Sequence, residues 1–231
     1  MADDLGDFLA AREPLPGRPL LGLTVLVVED SRFACEAMRL LCLRSGARIR
    51  RADCLRSARR HLQTYRPTVV VVDLGLPDGS GLNLVAEQAA LSPRVPALLA
   101  TSGDPGLAAA ARAAGADGFL QKPVESLAVF QRAVLAALPE RTMRTTRDLS
   151  ADDHVQPDPV ALRDDLAHAA ELLRGAPDAQ TIGYVAQFLS GVALSARDGD
   201  LGAAAGDLAG WQGLARISGL IRQCLAAETA F

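Results

Sequence analysis

Carboxylate, hydroxyl and ammonium side chains follow the short apolar runs of this sequence, and these groups suit metal and phosphate chemistry. Glu29 and Asp30 follow the first run, Asp73 ends another, Thr101 ends the next, and Lys122 comes after the last. Taken singly, each is more typical of a helix cap, a turn or an ordinary strand residue. The set is informative because each member must follow the correct strand among the five.

The chemistry of such a set is restricted by its charge. Clustered carboxylates raise one another's pKa unless a cation lies among them. Lys122 neutralises one charge, and the remainder favours a hard divalent ion such as Mg²⁺. An aspartate can accept a phosphoryl group, while Thr101 and Lys122 could bind the phosphate oxygens. The set therefore favours Mg²⁺-assisted phosphoryl chemistry.

Lys122 is also unusual by count. Lysine and arginine total 24, and 23 of them (24 − 1) are arginine. Lysine is a compact point charge on a thin stem, whereas arginine is a broad planar fork. A site that needs the lysine shape is one interpretation and chance survival is the other, and the count alone does not decide between them.

The elements that must position these residues alternate between strand and helix. Five βα units are predicted between residues 24 and 138, which favours a doubly wound parallel sheet with helices on both faces. The predicted strands are 24–28, 47–51, 68–74, 95–101 and 118–121. Ligands of such folds bind beyond the carboxyl ends of the strands, so the set should meet at one edge.

The remaining chain divides into three parts. Residues 1–22 are predicted to be a flexible leader, 139–158 a linker, and 159–231 an all-α bundle of three or four amphipathic helices. The α/β domain is assigned to 23–138.

Composition excludes several functional classes. The 231 residues are 49% hydrophobic and 22% charged, enough for a core, and aromatics at 4% disfavour a base-stacking surface. The net charge of −3 gives no general attraction to nucleic acid. No apolar run is long enough for a membrane span, and no signal-peptide pattern is seen. The four cysteines form no C-x-x-C pair, as expected of a protein in the reducing cytoplasm.

Four segments together resemble the receiver domain of two-component response regulators. The resemblance covers about residues 24–138. The segments are Val-Leu-Val-Val-Glu-Asp at 25–30, Val-Asp-Leu-Gly-Leu-Pro-Asp-Gly-Ser-Gly at 72–81, Leu-Ala-Thr-Ser-Gly at 99–103 and Gly-Ala-Asp-Gly-Phe-Leu-Gln-Lys-Pro at 115–123.

The resemblance implies a flavodoxin-like (βα)5 fold and a phosphoacceptor. Asp73 would accept a phosphoryl group from a phosphohistidine on a sensor histidine kinase or a phosphotransfer protein. Asp30, Asp73 and the backbone carbonyl of Gly75 would bind Mg²⁺, with Glu29 acting mainly through a bound water. The domain would then be a signalling domain that acquires and loses phosphate, not a conventional enzyme.

The resemblance also implies a switch. Thr101 would move toward the phosphate, Lys122 would bridge to it, and the bond before Pro123 would be cis. Phe119 stands at the position of the switch aromatic, where tyrosine is commoner; its alternative interpretation is a core phenylalanine. Gly75 and Gly103 leave the phosphate poorly shielded, so autodephosphorylation is expected not to be unusually slow.

The second half suggests protein–protein output. Residues 150–231 contain 11 acidic residues and 5 arginines, a net of 5 − 11 = −6, which disfavours DNA binding. The expected partner is a protein, with a homodimer as an alternative, and neither nucleic acid nor membrane. Eight arginines between residues 44 and 66 are either a solvated face or a docking patch for an acidic partner, which could be the chain's own helices. A scaffold that never takes phosphate is a further alternative, which the intact acidic set disfavours.

His168 is the candidate for a second function. It lies off the apolar face of its predicted helix and resembles the exposed histidine of a phosphotransfer domain. That family has a lysine and a glycine shortly afterwards, where this chain has Glu171 and Leu172. A phosphorelay domain, a degenerate relative of one and an unrelated interaction bundle remain open. His61 and His154 are predicted to be ordinary surface residues.

Overall fold

A computed structural model describes residues 17–139, 153–175, 177–209 and 211–227. It divides into two compact units. The first comprises residues up to Asp30 together with Ala37–Gln156, and the second comprises Ser31–Glu36 with Pro157–Phe231. None of the described helices is both long and apolar enough to cross a membrane.

The first unit is built on one five-stranded sheet. Its strands are β1 (Thr24–Val28), β2 (Arg48–Ala52), β3 (Val69–Asp73), β6 (Ala97–Ser102) and β7 (Gly118–Gln121). All pair in parallel, in the order β2-β1-β3-β6-β7. β1, β3 and β6 are apolar almost throughout because helices cover both faces of their sheet. The predicted doubly wound α/β fold is confirmed.

Helices connect the strands in the predicted order. They are α1 (Arg32–Arg44), α2 (Leu55–Thr64), α3 (Gly81–Ala89), α4 (Ala108–Ala113) and α5 (Leu127–Ala137). Ser31 caps α1 by accepting a hydrogen bond from the amide of Ala34 at 3.0 Å. The helix predicted from residue 105 begins as one 3-10 turn, Pro105–Leu107, because Asp104 caps it and Pro105 occupies its first position.

The loop after β3 contains a small hairpin that the sequence did not predict. Its strands are β4 (Gly75–Leu76) and β5 (Gly79–Ser80), which pair antiparallel. Gly81 then brings the backbone back against β3, since a Cβ built there would lie 1.9 Å from the carbonyl oxygen of Asp73. Only glycine permits this approach.

Two residues of the predicted leader and linker are buried. Leu20, in the segment predicted as a leader, is fully buried and donates its amide to the Ser45 carbonyl. Val155, in the segment predicted as a linker, is 1% exposed and donates to the Glu125 carbonyl. Both are apolar residues, and both belong to the sheet unit. Residues 1–16 and 140–152 lie outside the described residues.

The second unit is helical, as predicted. Its remaining helices are α6 (Pro159–Leu172), α7 (Ala179–Ala196), α8 (Gly199–Gly206) and α9 (Trp211–Ala227), with a 3-10 turn at Asp207–Ala209 before α9. Apolar side chains from all four helices form its core, among them Leu166, Leu189, Leu201 and Ile217.

Candidate metal and phosphoryl site

Strand register brings the predicted carboxylates together. Val28 lies beside Val72 on the neighbouring strand, so the residues that follow, Glu29 and Asp30, lie beside Asp73. Each of the three carboxylates offers an oxygen within 4.8 Å of the others. The grouping follows from topology, since parallel strands end at the same edge.

Lys122 links two of these carboxylates. Its Nζ lies 2.7 Å from Oε2 of Glu29 and 2.8 Å from Oδ2 of Asp73. The backbone amide of Lys122 donates to the Ser102 carbonyl at 2.9 Å, which anchors the residue where β7 ends beside β6. Glu29, Asp73 and Lys122 are 2%, 6% and 8% exposed, so these charges interact with little solvent screening.

Two of the three clustered carboxylates are buried and share the Lys122 ammonium. Burial and the neighbouring charge of Asp73 raise the pKa of Glu29 well above its usual range, although Lys122 opposes the shift. Burial alone would lower the pKa of Lys122, but Glu29 and Asp73 outweigh it and keep the pKa above the usual value. The cluster offers only oxygen donors, which are the ligands that a hard divalent cation prefers.

Thr101 provides a hydroxyl on the strand beside Asp73. It pairs in register with Asp73 on the adjacent strand, and its carbonyl accepts from the amide of Leu74 at 3.1 Å. The side chain is 1% exposed, and its Oγ1 has no hydrogen-bond partner among the described residues. A buried hydroxyl without a partner is costly unless a ligand satisfies it.

The other predicted site residues lie at or near this edge. The amide of Gly75 donates to Oδ1 of Asp73 at 3.3 Å, so the loop turns tightly around the acceptor. The predicted cis bond between Lys122 and Pro123 is confirmed. Phe119 on β7 is half-buried and packs against the apolar core of the sheet. Gly103 is half-buried directly after β6.

His168 lies in a different setting. It is exposed on α6 and makes an edge contact with the ring of Phe188, with centroids 5.9 Å apart. The predicted exposure is therefore correct. Glu171, one turn along the helix, is exposed and pairs with Arg174 at 2.7 Å. His154 is exposed.

Two functional carboxylates escaped the sequence interpretation because each acts on a distant helix. Asp78, in the loop after β3, accepts hydrogen bonds from the first two amides of α2. Asp165 on α6 is buried and accepts from Ser31, Arg32 and Phe33 at the start of α1. For Asp78 the only sequence signal of a cap was an aspartate beside a predicted turn. For Asp165 the sequence contains no such signal.

Fold and site together define a doubly wound α/β domain with a cluster of three carboxylates at the carboxyl edge of its sheet. The sequence profile of the response regulator receiver domain matches residues 25–133. This part of the chain therefore belongs to the receiver domains of the two-component response regulators.

Curated relatives agree with this assignment. The probable transcriptional regulatory protein TcrX of Mycobacterium tuberculosis is 36% identical over 136 residues, which cover 58% of this chain and 56% of TcrX. The KDP operon transcriptional regulatory protein KdpE of Escherichia coli is 31% identical over 99 residues, covering 43% of this chain and 44% of KdpE. The chain thus spans about half the length of these relatives.

Solved structures of a response regulator and of a receiver domain from a sensor histidine kinase are similar over about half of this chain. A Burkholderia pseudomallei response regulator, described with a phosphorylated aspartic acid and a calcium ion, is 30% identical over 52% of this chain and 68% of that chain, with a TM-score of 0.43. The receiver domain of Pseudomonas aeruginosa sensor histidine kinase PA1611, described with magnesium in its active site cleft, is 24% identical over 50% of this chain and 96% of that chain, with a TM-score of 0.45.

Proposed function

We propose that Asp73 accepts a phosphoryl group, in a Mg²⁺-dependent reaction, from a phosphohistidine on a histidine kinase or phosphotransfer protein. The supporting observation is the buried Asp73 carboxylate, which lies between an ammonium and a buried hydroxyl that has no partner among the described residues. Lys122 and Thr101 would bind the oxygens of an incoming phosphate. The three clustered carboxylates beside them would bind the metal.

In the proposed transfer, a carboxylate oxygen of Asp73 attacks the phosphorus atom. The new P–O bond forms as the P–N bond to the donor imidazole breaks, and that nitrogen takes the electron pair and then a proton. The Lys122 ammonium exchanges part of its pairing with Asp73 for a phosphate oxygen, and the Thr101 hydroxyl donates to another. Asp73 is already fixed by Lys122 and Gly75, so little reorientation is needed.

The residues that would hold the metal are Asp30, Asp73 and the carbonyl of Gly75, with Glu29 acting through a water. Mg²⁺ would supply positive charge against the developing charge on the phosphoryl oxygens. The fit rests on the three clustered carboxylates, whose oxygens lie within 4.8 Å of one another.

A labelled small donor tests the acceptor. Incubation with ³²P-acetyl phosphate and Mg²⁺ should label the full-length protein with an alkali-labile acyl phosphate. Asp73→Asn should lose the label and His168→Ala should keep it. Labelling of Asp73→Asn at the wild-type level would overturn the assignment.

Output is proposed to run through protein–protein contacts of the helical unit. The support is the net charge of −6 over residues 150–231, with 5 arginines against 11 acidic residues, which repels a phosphate backbone. The named relatives are transcriptional regulators, so DNA binding is the competing outcome. Fluorescence polarisation with mixed-sequence duplex DNA, with and without acetyl phosphate, should show no binding at 150 mM salt. Salt-sensitive binding that grows on phosphorylation would favour the competing outcome.

A phosphorelay through His168 is the second candidate. It is favoured by the exposure of the ring on α6. The carboxylate of Glu171, one turn away, disfavours it because it repels an incoming phosphate. Acid-labile, alkali-stable label that disappears in His168→Ala would identify this route.

Two further properties complete the proposal. The Thr101 hydroxyl would signal its displacement through Phe119, which lies on the neighbouring strand. Gly75 and Gly103 would leave the acyl phosphate open to water, and bulkier residues at both positions should lengthen its lifetime. The protein would then act in the cytoplasm as a reversible signalling domain, not as a conventional enzyme.

A further inference from the structure

The loop that follows the phosphoacceptor is tied to a helix on another part of the sheet unit. Asp78 lies in the turn between β4 and β5, three residues after Gly75. Its Oδ1 accepts from the amide of Leu55 at 2.8 Å, and its Oδ2 accepts from the amide of Arg56 at 2.9 Å. Both oxygens of one carboxylate are thus engaged by the first turn of α2.

This contact takes the place of a local helix cap. The residue before α2, Cys54, makes no side-chain cap hydrogen bond, and no acidic residue lies in the first turn of the helix. The amides there would otherwise be unsatisfied, and a carboxylate is their preferred partner at a helix N-terminus. Asp78 therefore provides the hydrogen-bond acceptors for the first amides of α2 although it lies in a different loop. The same two hydrogen bonds fix the position of Asp78.

Apolar packing supports the same attachment. Leu76 and Leu55 are 6% and 2% exposed and belong to one core cluster. A Cβ built on Gly79 would lie 3.1 Å from Cδ1 of Leu55, so the hairpin lies close against α2. The hairpin is therefore attached to the start of α2 by the two hydrogen bonds of Asp78 and by apolar contact with Leu55.

We propose that Asp78 is a positioning residue for the metal site, because it holds the β4–β5 hairpin and thereby fixes the carbonyl of Gly75. The inference rests on the proposed function, in which that carbonyl is a ligand. Gly75 is held by the hydrogen bond that its backbone amide donates to Oδ1 of Asp73 and by its strand pairing with Ser80. If Asp78 releases the turn, the hairpin keeps its covalent connections but loses its fixed orientation.

Mg²⁺ titration of the full-length protein tests this role. By calorimetry, Asp78→Ala should weaken Mg²⁺ binding by about tenfold, the scale seen when an outer support of a metal ligand is removed. Asp78→Asn keeps one acceptor oxygen and should fall between the wild type and Asp78→Ala. Labelling by acetyl phosphate should be slow in Asp78→Ala at low Mg²⁺ and return to the wild-type rate at saturating Mg²⁺.

A matched control separates positioning from lost charge or lost helix stability. Glu87→Gln also removes one exposed carboxylate that contacts α2, where it pairs with Arg59 at 2.7 Å, but it lies outside the hairpin. It should leave Mg²⁺ affinity unchanged. Equal Mg²⁺ affinity of wild type and Asp78→Ala would overturn the inference, as would a rate defect that saturating Mg²⁺ does not restore. A wild type that neither binds Mg²⁺ nor takes label would instead overturn the proposed function.

Discussion

Asp73 in the sheet unit and Asp165 in the helical unit are both buried carboxylates, but their charges are satisfied in different ways. Asp73 shares one ammonium with Glu29 and lies beside a third carboxylate. Asp165 accepts from the Ser31 hydroxyl at 2.8 Å and from the amides of Arg32 and Phe33 at 2.8 and 3.0 Å.

The two sites differ in whether their buried polar groups all have hydrogen-bond partners. Both oxygens of Asp165 accept hydrogen bonds from uncharged donors, and Ser31 in turn accepts from the amide of Ala34. Such a carboxylate needs no metal, and its role is to cap α1. The cluster around Asp73 places three carboxylate groups within 4.8 Å of one another, and the nearby Thr101 hydroxyl has no partner among the described residues. The contrast predicts which substitutions disturb function and which disturb stability alone.

The largest expected effect is on the shared cation. Lys122→Met keeps most of the buried stem and removes the ammonium, which leaves Glu29 and Asp73 buried without a cation. Loss of one partner from a buried ion pair lowers the free energy of unfolding by about 3–5 kcal/mol. Urea unfolding followed by circular dichroism should show this loss, and Mg²⁺ should reduce it because the metal replaces part of the missing charge.

The control for Lys122 removes an exposed cation. Arg59→Met breaks a surface pair with Glu87 and should change stability little, because solvent screens that pair. Equal stability of Lys122→Met and wild type without Mg²⁺ would contradict the role given to the ammonium.

The second prediction compares one glycine from each unit, Gly81 and Gly191. In Gly81→Ala the new Cβ would lie 1.9 Å from the Asp73 carbonyl oxygen, so β3 or the hairpin must move. Overpacking of this kind costs about 1–3 kcal/mol, and displacement of Asp73 should also abolish labelling by acetyl phosphate.

Gly191 on α7 provides the comparison in the helical unit. A Cβ there meets no atom within 4 Å, so Gly191→Ala should raise stability by up to about 1 kcal/mol through better helix propensity. Labelling should be unchanged. Wild-type labelling of Gly81→Ala would show that Asp73 tolerates the displacement.

The third prediction concerns Asp165, whose two carboxylate oxygens both accept hydrogen bonds. Asp165→Asn replaces one acceptor oxygen with an amide donor, which leaves a donor facing a donor. An unsatisfied buried group costs about 1–3 kcal/mol, so thermal unfolding should occur at a lower temperature. Far-ultraviolet circular dichroism follows this unfolding.

Asp164 is the natural control, because it precedes Asp165 and forms an exposed pair with Arg32. Asp164→Asn should leave the unfolding temperature nearly unchanged. A larger effect at Asp164 than at Asp165 would contradict the assignment of the cap to the buried residue.

Much of the sheet unit was predictable from sequence because its signals are local. Apolar runs mark the central strands, and parallel topology then requires their ends to meet, which located Glu29, Asp73, Thr101 and Lys122. Asp165 was not predictable because it stands beside an identical aspartate on a helix, and its partners lie more than 130 residues earlier in the chain. Long-range hydrogen bonds leave no periodic trace in a sequence.

The smallest expected effect is the pH dependence contributed by Asp165. Burial raises its pKa above the usual value, although the Phe33 and Arg32 amides and the Ser31 hydroxyl oppose the shift. A carboxyl with a raised folded-state pKa binds its proton more tightly in the folded protein than in the unfolded chain. Its contribution to stability is therefore greatest below the ordinary aspartate pKa and declines as pH rises through the raised value. The stability difference between wild type and Asp165→Asn, measured by urea unfolding with circular dichroism across this acidic range, should shrink as pH rises. A difference that grows with pH would mean that the amide hydrogen bonds outweigh burial and that the pKa is lowered.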